Sequence, residues 1–124
     1  MQYIILIGDE SLTLDSVKNI KHHGSINSHD IPEINRYWVN FEGDHIYYDF
    51  GGIDDYIYEE KDLLKIPFEN PRFITMSYRS LERVKQVLKQ DNFLRGIYVD
   101  DDGDNILPIE DFIELLDDPN YDVL

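Results

Sequence analysis

The chain reads as one α+β domain spanning residues 1–124: a single mixed β-sheet of five or six strands with about three helices packed on it. Three observations predict this. A length of 124 residues fits one domain with a real core. Strand-like and helix-like stretches follow in the order strand, helix, hairpin, strand, helix, hairpin, helix. No linker, low-complexity segment or fixed-period repeat divides the chain. Hydrophobic residues make up 42% and aromatics 13%, which separates it from disordered sequences. The core must come from Ile, Leu, Val, Phe and Tyr, since Ala is absent and Met scarce.

Residues 3–7, YIILI, are a continuous apolar run closed by Gly8, the pattern of a buried central strand. A helix follows over residues 11–21. Leu14 and Val17 recur at helical spacing, Asp15 lies where the helix dipole favours an acid, and Ser11 or Thr13 caps it. Gly24 is placed to end it. Residues 25–35 read as a polar loop containing Pro32. RYWVNFEGDHIYYDF, residues 36–50, is the clearest hairpin. Tyr37, Val39 and Phe41 alternate with Trp38 and Asn40, Glu42-Gly43-Asp44 turns the chain, and residues 45–50 return.

Gly51-Gly52 breaks the strand, and residues 59–65 form a short helix ended before Pro67. Residues 72–78 are a strand. Ser80 then caps a helix over 81–90, with Leu81, Val84 and Leu88 on one face. Residues 97–99 are the next strand, so 73–99 predicts a right-handed parallel crossover. Pro108 starts a last helix through Leu116, with Glu110 and Asp111 in its first turn. A ferredoxin-like or related split arrangement fits this order.

The net charge of −15 narrows the function classes. Nucleic acid and anionic membranes are disfavoured, because both demand Lys and Arg. A basic protein partner is favoured, and long-range attraction would speed that encounter. Residues 42–70 carry nine acids and two bases, and residues 96–124 carry ten acids and no base. Between them, residues 71–95 hold six bases and two acids. Such blocks mark an interaction surface or neutralise one another across the fold. No cysteine is present, which suits a cytoplasmic protein and excludes disulfides and thiolate sites. The apolar run at the N-terminus is too short for a signal peptide or a membrane span.

YVDDDGDNILP, residues 98–108, is the stretch most suggestive of chemistry. With Gly103 at the sixth position of a calcium loop, Asp100 and Asp102 fit the third and fifth. Tyr98 and Ile109 then occupy the first and twelfth positions, where carboxylates are required, and the motif fails. Two short strands, 97–100 and 105–107, around an Asp102-Gly103 turn fit better. Asp100, Asp101, Asp102 and Asp104 then lie at a solvated hairpin tip.

Gly8-Asp9-Glu10 follows a strand but matches no phosphate-binding pattern. His22, His23, His29 and His45 show no metal-ligand spacing, and no nucleophile motif occurs. No metal, cofactor or catalytic residue is expected. The region from Glu42 to Asp62 interleaves tyrosines with acids. Tyrosine gives rigid apolar area with a polar tip, and neighbouring carboxylates pair with Arg and Lys of a partner.

Three stretches, YIILIGDESLTLDSVKNIKHHGS, IPFENPRFITMSYRS and DNFLRGIYVDDDGDNILPIEDFIELL, resemble small acidic proteins of low-GC Gram-positive bacteria. In size and charge the chain is similar to immunity proteins of bacterial toxin systems. That resemblance implies a non-enzymatic, cytoplasmic inhibitor that occludes a basic toxin. Tyr47, Tyr48, Asp49, Asp54, Asp55, Tyr56 and Tyr58 are the candidates for one binding face. Asp100, Asp101, Asp102 and Asp104 are the candidates for another. Two alternatives stand beside it: an acid-base or metal-dependent enzyme using Asp9, His45 or Asp49, and an acidic mimic of nucleic acid.

Overall fold

The computed structural model describes residues 2–51, 58–101 and 105–121. Within them lie seven strands: β1 (Gln2–Gly8), β2 (Ser25–Ile31), β3 (Arg36–Phe41), β4 (Asp44–Gly51), β5 (Arg72–Tyr78), β6 (Tyr98–Asp100) and β7 (Ile106–Pro108). They form one sheet in the order β2-β3-β4-β5-β1-β6-β7, and every neighbouring pair is antiparallel. The helices are α1 (Leu14–Lys18), α2 (Glu60–Leu63), α3 (Leu81–Leu88) and α4 (Ile109–Leu116). Among the described residues no helix is long and apolar enough to cross a membrane.

The α+β class holds, but the sheet is antiparallel rather than mixed, and it has seven strands rather than five or six. The predicted crossover explains part of the difference. β5 and β6 do run parallel, because each pairs antiparallel with β1. They are not neighbours, since β1 is inserted between them, so the strand-helix-strand unit is split. β1 suits the central place because its two faces are both apolar. Ile4 and Leu6 join one buried cluster, and Ile5 and Ile7 join another on the opposite side.

The extra strand is β2, in the segment expected to be a loop. Its sequence, SINSHDI, has few strong strand formers, and six of its seven residues are exposed. It is a strand because β3 offers a free edge and a matching register from Asn27–Asn40 to Ile31–Arg36. Lys18 of α1 fixes its outer end, with Nζ 2.8 Å from Asp30 Oδ2.

α1 is shorter than its apolar spacing predicts and closes at Asn19. Beyond it the backbone turns to a buried side chain. Gln90 Oε1 accepts from the His23 amide at 2.8 Å, and Gln90 Nε2 donates to the Lys21 carbonyl at 3.0 Å. Gly24, expected to end the helix, has φ +82° and turns the chain into β2. Ser80 does cap α3, its Oγ accepting from the Arg83 amide at 3.2 Å. Pro108 closes β7 and immediately precedes α4 instead of lying inside it.

The main core lies on one face of the sheet. Val17 of α1, Val84, Val87 and Leu88 of α3, and Ile109, Phe112 and Leu116 of α4 pack against Leu6, Val39, Ile46, Ile74 and Met76. Each of the larger side chains so buried stabilises the fold by about 1.5–3 kcal/mol. The basic helix does meet acidic regions: Arg83 approaches Asp44 at 3.5 Å, and Lys89 Nζ lies 2.6 Å from Asp117 Oδ1. A smaller cluster, Ile5, Ile7, Ile66 and Phe73, covers the other face over β1 and β5. The β2–β3–β4 half of that second face carries no buried cluster among the described residues.

Candidate functional site

Side chains alternate along a strand, so β3 and β4 send Arg36, Trp38, Asn40, His45, Tyr47 and Asp49 to the face opposite α1, α3 and α4. The register sets Arg36 opposite Asp49, Trp38 opposite Tyr47 and Asn40 opposite His45. β2 extends all three rows, with Ile31 beside Arg36, His29 beside Trp38 and Asn27 beside Asn40.

The rings form one cluster. Trp38 meets Tyr47 edge-on at 4.3 Å between centroids, and His45 stacks on Tyr47 at 4.7 Å. Arg36 lies over the far side of Tyr47, its Cζ 4.8 Å from the ring centroid. Its guanidinium grips Asp49 with two bonds, 2.6 Å from Nε and 3.1 Å from Nη2. This contact raises the Arg36 pKa further above its ordinary value. Trp38 Nε1 donates to Asn40 Oδ1, and Asn40 Nδ2 donates to Asn27 Oδ1, each at 2.7 Å. The Trp38 indole N–H and the Arg36 guanidinium are thus engaged within the patch, which orients the Trp38 ring before any partner arrives.

The patch is also poor in charge. Asp49 is the one acid among these side chains, and Arg36 neutralises it, in a chain with 26 acids. Aromatic enrichment with depletion of charge is the composition of an interface centre.

The expected face is therefore divided. Tyr47 and Asp49 belong to the patch. Tyr48 does not: it points to the core, is fully buried, and its hydroxyl lies 2.6 Å from His22 Nε2. Consecutive strand residues cannot share a face, so Tyr47 and Tyr48 could never have served together. Asp54, Asp55 and Tyr56 lie outside the described residues, as do Asp102 and Asp104. Tyr58 lies against the smaller cluster, stacked on Phe73 at 5.6 Å.

The second expected face is corrected. Asp100 and Asp101 are not at a solvated tip; both are buried. Asp100 ends β6 and Asp101 follows it, and a distant tyrosine meets each. Tyr58 Oη donates to Asp100 at 3.0 Å, and Tyr121 Oη donates to Asp101 at 2.5 Å. Asn105 adds its side-chain amide to Asp101 at 2.9 Å. Burial, then the bond to Asp101, pushes the Tyr121 hydroxyl pKa up. Burial and the Asp101 charge raise Tyr78 to about 12. These aspartates are structural acceptors, satisfied by phenols that sequence adjacency does not disclose.

Asp9, His45 and Asp49 are not brought together. Asp9 follows Gly8, which pairs with Arg72 at the start of β5, whereas His45 lies beyond the Ile46–Tyr78 pair at its end. That separates them by about 20 Å along the strands. His45 and Asp49 share a face but stand about 13 Å apart, with Tyr47 between. Asp9 instead closes its own turn, accepting from the Ser11 amide at 2.8 Å and its hydroxyl at 2.5 Å. Those bonds lower its pKa.

Trp38, Arg36 and His29 were not singled out from the sequence as binding residues. The signal was present in the hairpin, where Trp38 stands in the polar phase of the alternation with Asn40. A tryptophan out of phase with the core residues faces away from the core. No family model, curated protein or solved structure matches this chain.

Proposed function

We propose that this is a non-enzymatic protein-binding domain that captures a basic protein, with the Trp38–Tyr47–His45 patch as the centre of its interface. One observation carries the reading: a charge-poor aromatic surface, on a part of the sheet face where the described residues form no buried cluster, in a strongly acidic chain. The division of labour follows from physics. The net charge of −15 accelerates encounter with a basic surface. The aromatic patch then supplies the contact that slows dissociation. The resemblance to toxin immunity proteins gives the finer form of the proposal, in which the partner is a toxin and binding blocks it.

The test begins with capture from the native cell on the immobilised chain, washed at low and then high salt. The released protein is purified and its affinity measured against wild type and Trp38→Ala. Removing a central tryptophan should cost about 2 kcal/mol or more, roughly 30-fold in Kd. Equal affinity for both would remove the patch from the interface. The partner's own activity, measured with and without this chain, tests inhibition.

A further inference from the structure

We infer that the outer edge of β2 is a strand-addition site for an extended basic segment of the partner, an inference that rests on the reading that this chain captures a basic protein. The two edges of the sheet differ. β7 has three residues and ends at Pro108, so it offers little to a further strand. β2 has seven residues and contains no proline or lysine, and it is the terminal strand on its side. Its one irregularity is a register shift between Ser25 and Asn27, at one end.

The hydrogen-bond phase shows which groups are free. Antiparallel strands bond to a given neighbour at every second residue. The Phe50 amide donates to the Asn35 carbonyl at 3.0 Å, which assigns the odd-numbered residues of β3 to β4. Arg36, Trp38 and Asn40 therefore bond to β2, at Ile31, His29 and Asn27. Ser28 and Asp30 are left to present their backbone N–H and C=O groups away from the sheet, with no strand beyond them among the described residues. Both residues are exposed, and the side chain of Ile26 beside them is 64% exposed.

Charge selects the occupant. A second copy would bring another chain of net charge −15, and the two like-charged chains repel. A basic segment is attracted by that same field. Added as an outer strand, it would lie beside His29, in the row that leads through Trp38 to Tyr47. Main-chain bonds would then supply affinity, and the aromatic patch would read side chains.

The test uses a fluorescein-labelled peptide of alternating lysine and valine, and the same peptide N-methylated on every backbone amide, so that neither of its edges can donate. The charge is identical, but the methylated form cannot complete a ladder. The unmodified peptide should bind at least tenfold tighter. Ser28→Pro should abolish that preference with the fold intact, because the Ser28 amide lies outside the ladder to β3. Equal binding of the two peptides to the unaltered protein would overturn strand addition and leave charge-driven capture standing. Binding of neither peptide at low salt would overturn both readings. A wild-type dimer that Ser28→Pro converts to monomer would assign the edge to a second copy instead. The methylation comparison needs no variant, so it stands whatever Ser28→Pro does to folding.

Discussion

Two fully buried tyrosines face opposite situations, and deleting one hydroxyl at a time should separate them. Tyr48 Oη donates to His22 Nε2 at 2.6 Å. The other ring nitrogen, Nδ1, lies 3.1 Å from the Ile20 carbonyl, which can only accept. His22 is therefore the neutral tautomer with its proton on Nδ1. Tyr48→Phe strips the partner from a buried acceptor, which costs about 1–3 kcal/mol. Unfolding entropy near 2.1 cal/mol/K per residue gives roughly 0.26 kcal/mol/K for 124 residues. The midpoint should accordingly fall by about 4–12 °C. Tyr78 is the internal control, since its buried hydroxyl has no hydrogen-bond partner among the described residues. Tyr78→Phe should change stability by less than about 0.5 kcal/mol or increase it. Urea denaturation at neutral pH, with m-values compared, measures both. Equal losses in the two variants would refute the assignment, as would a Tyr48→Phe protein as stable as wild type.

Acid should weaken the fold before the carboxylates titrate. Burial lowers the His22 pKa below 6.5, so between the folded and unfolded values the unfolded chain binds the extra proton. Stability is fully present above pH 6.5 and declines as pH falls below it, by at most about 1.4 kcal/mol per pH unit for one proton. His22→Gln should remove that slope from urea midpoints taken between about pH 4.5 and 7; an unchanged slope would place its origin elsewhere. Gly8→Ala would set a methyl 2.9 Å from Leu12 Cβ, too close for a carbon pair. A loss of about 1–3 kcal/mol by thermal melting is expected, and a neutral result would mean that Leu12 moves aside freely. Trp38→Ala should reduce partner affinity while leaving the melt within about 1 kcal/mol of wild type, because its ring is only half-buried. A collapsed melt would make Trp38 a core residue rather than a contact.

Local chemistry determined much of the fold on its own. The apolar run of β1, the alternation through residues 36–50 with its Gly43 turn, the Ser80 cap and the α4 pattern are written within a few residues of one another. Composition also determined the electrostatic character, and with it the sign of the partner's charge in the proposal. Part of the patch was legible as well: Tyr47 and Asp49 stand out as an aromatic and an acid at alternate positions.

Tertiary structure decided the rest, because β-sheets are made by distant pairings. SINSHDI is a strand only where β3 offers an edge to pair with. β5 and β6 are parallel but separated, because the first strand of the chain takes the place between them. Asp100 and Asp101 read as a solvated tip until Tyr58 and Tyr121, 42 and 20 residues away in sequence, supply the hydroxyls that let carboxylates be buried. Trp38 is a binding candidate only because α1, α3 and α4 pack on the other face. Polarity and spacing set which side chains share a face; only the complete fold sets which face is left uncovered.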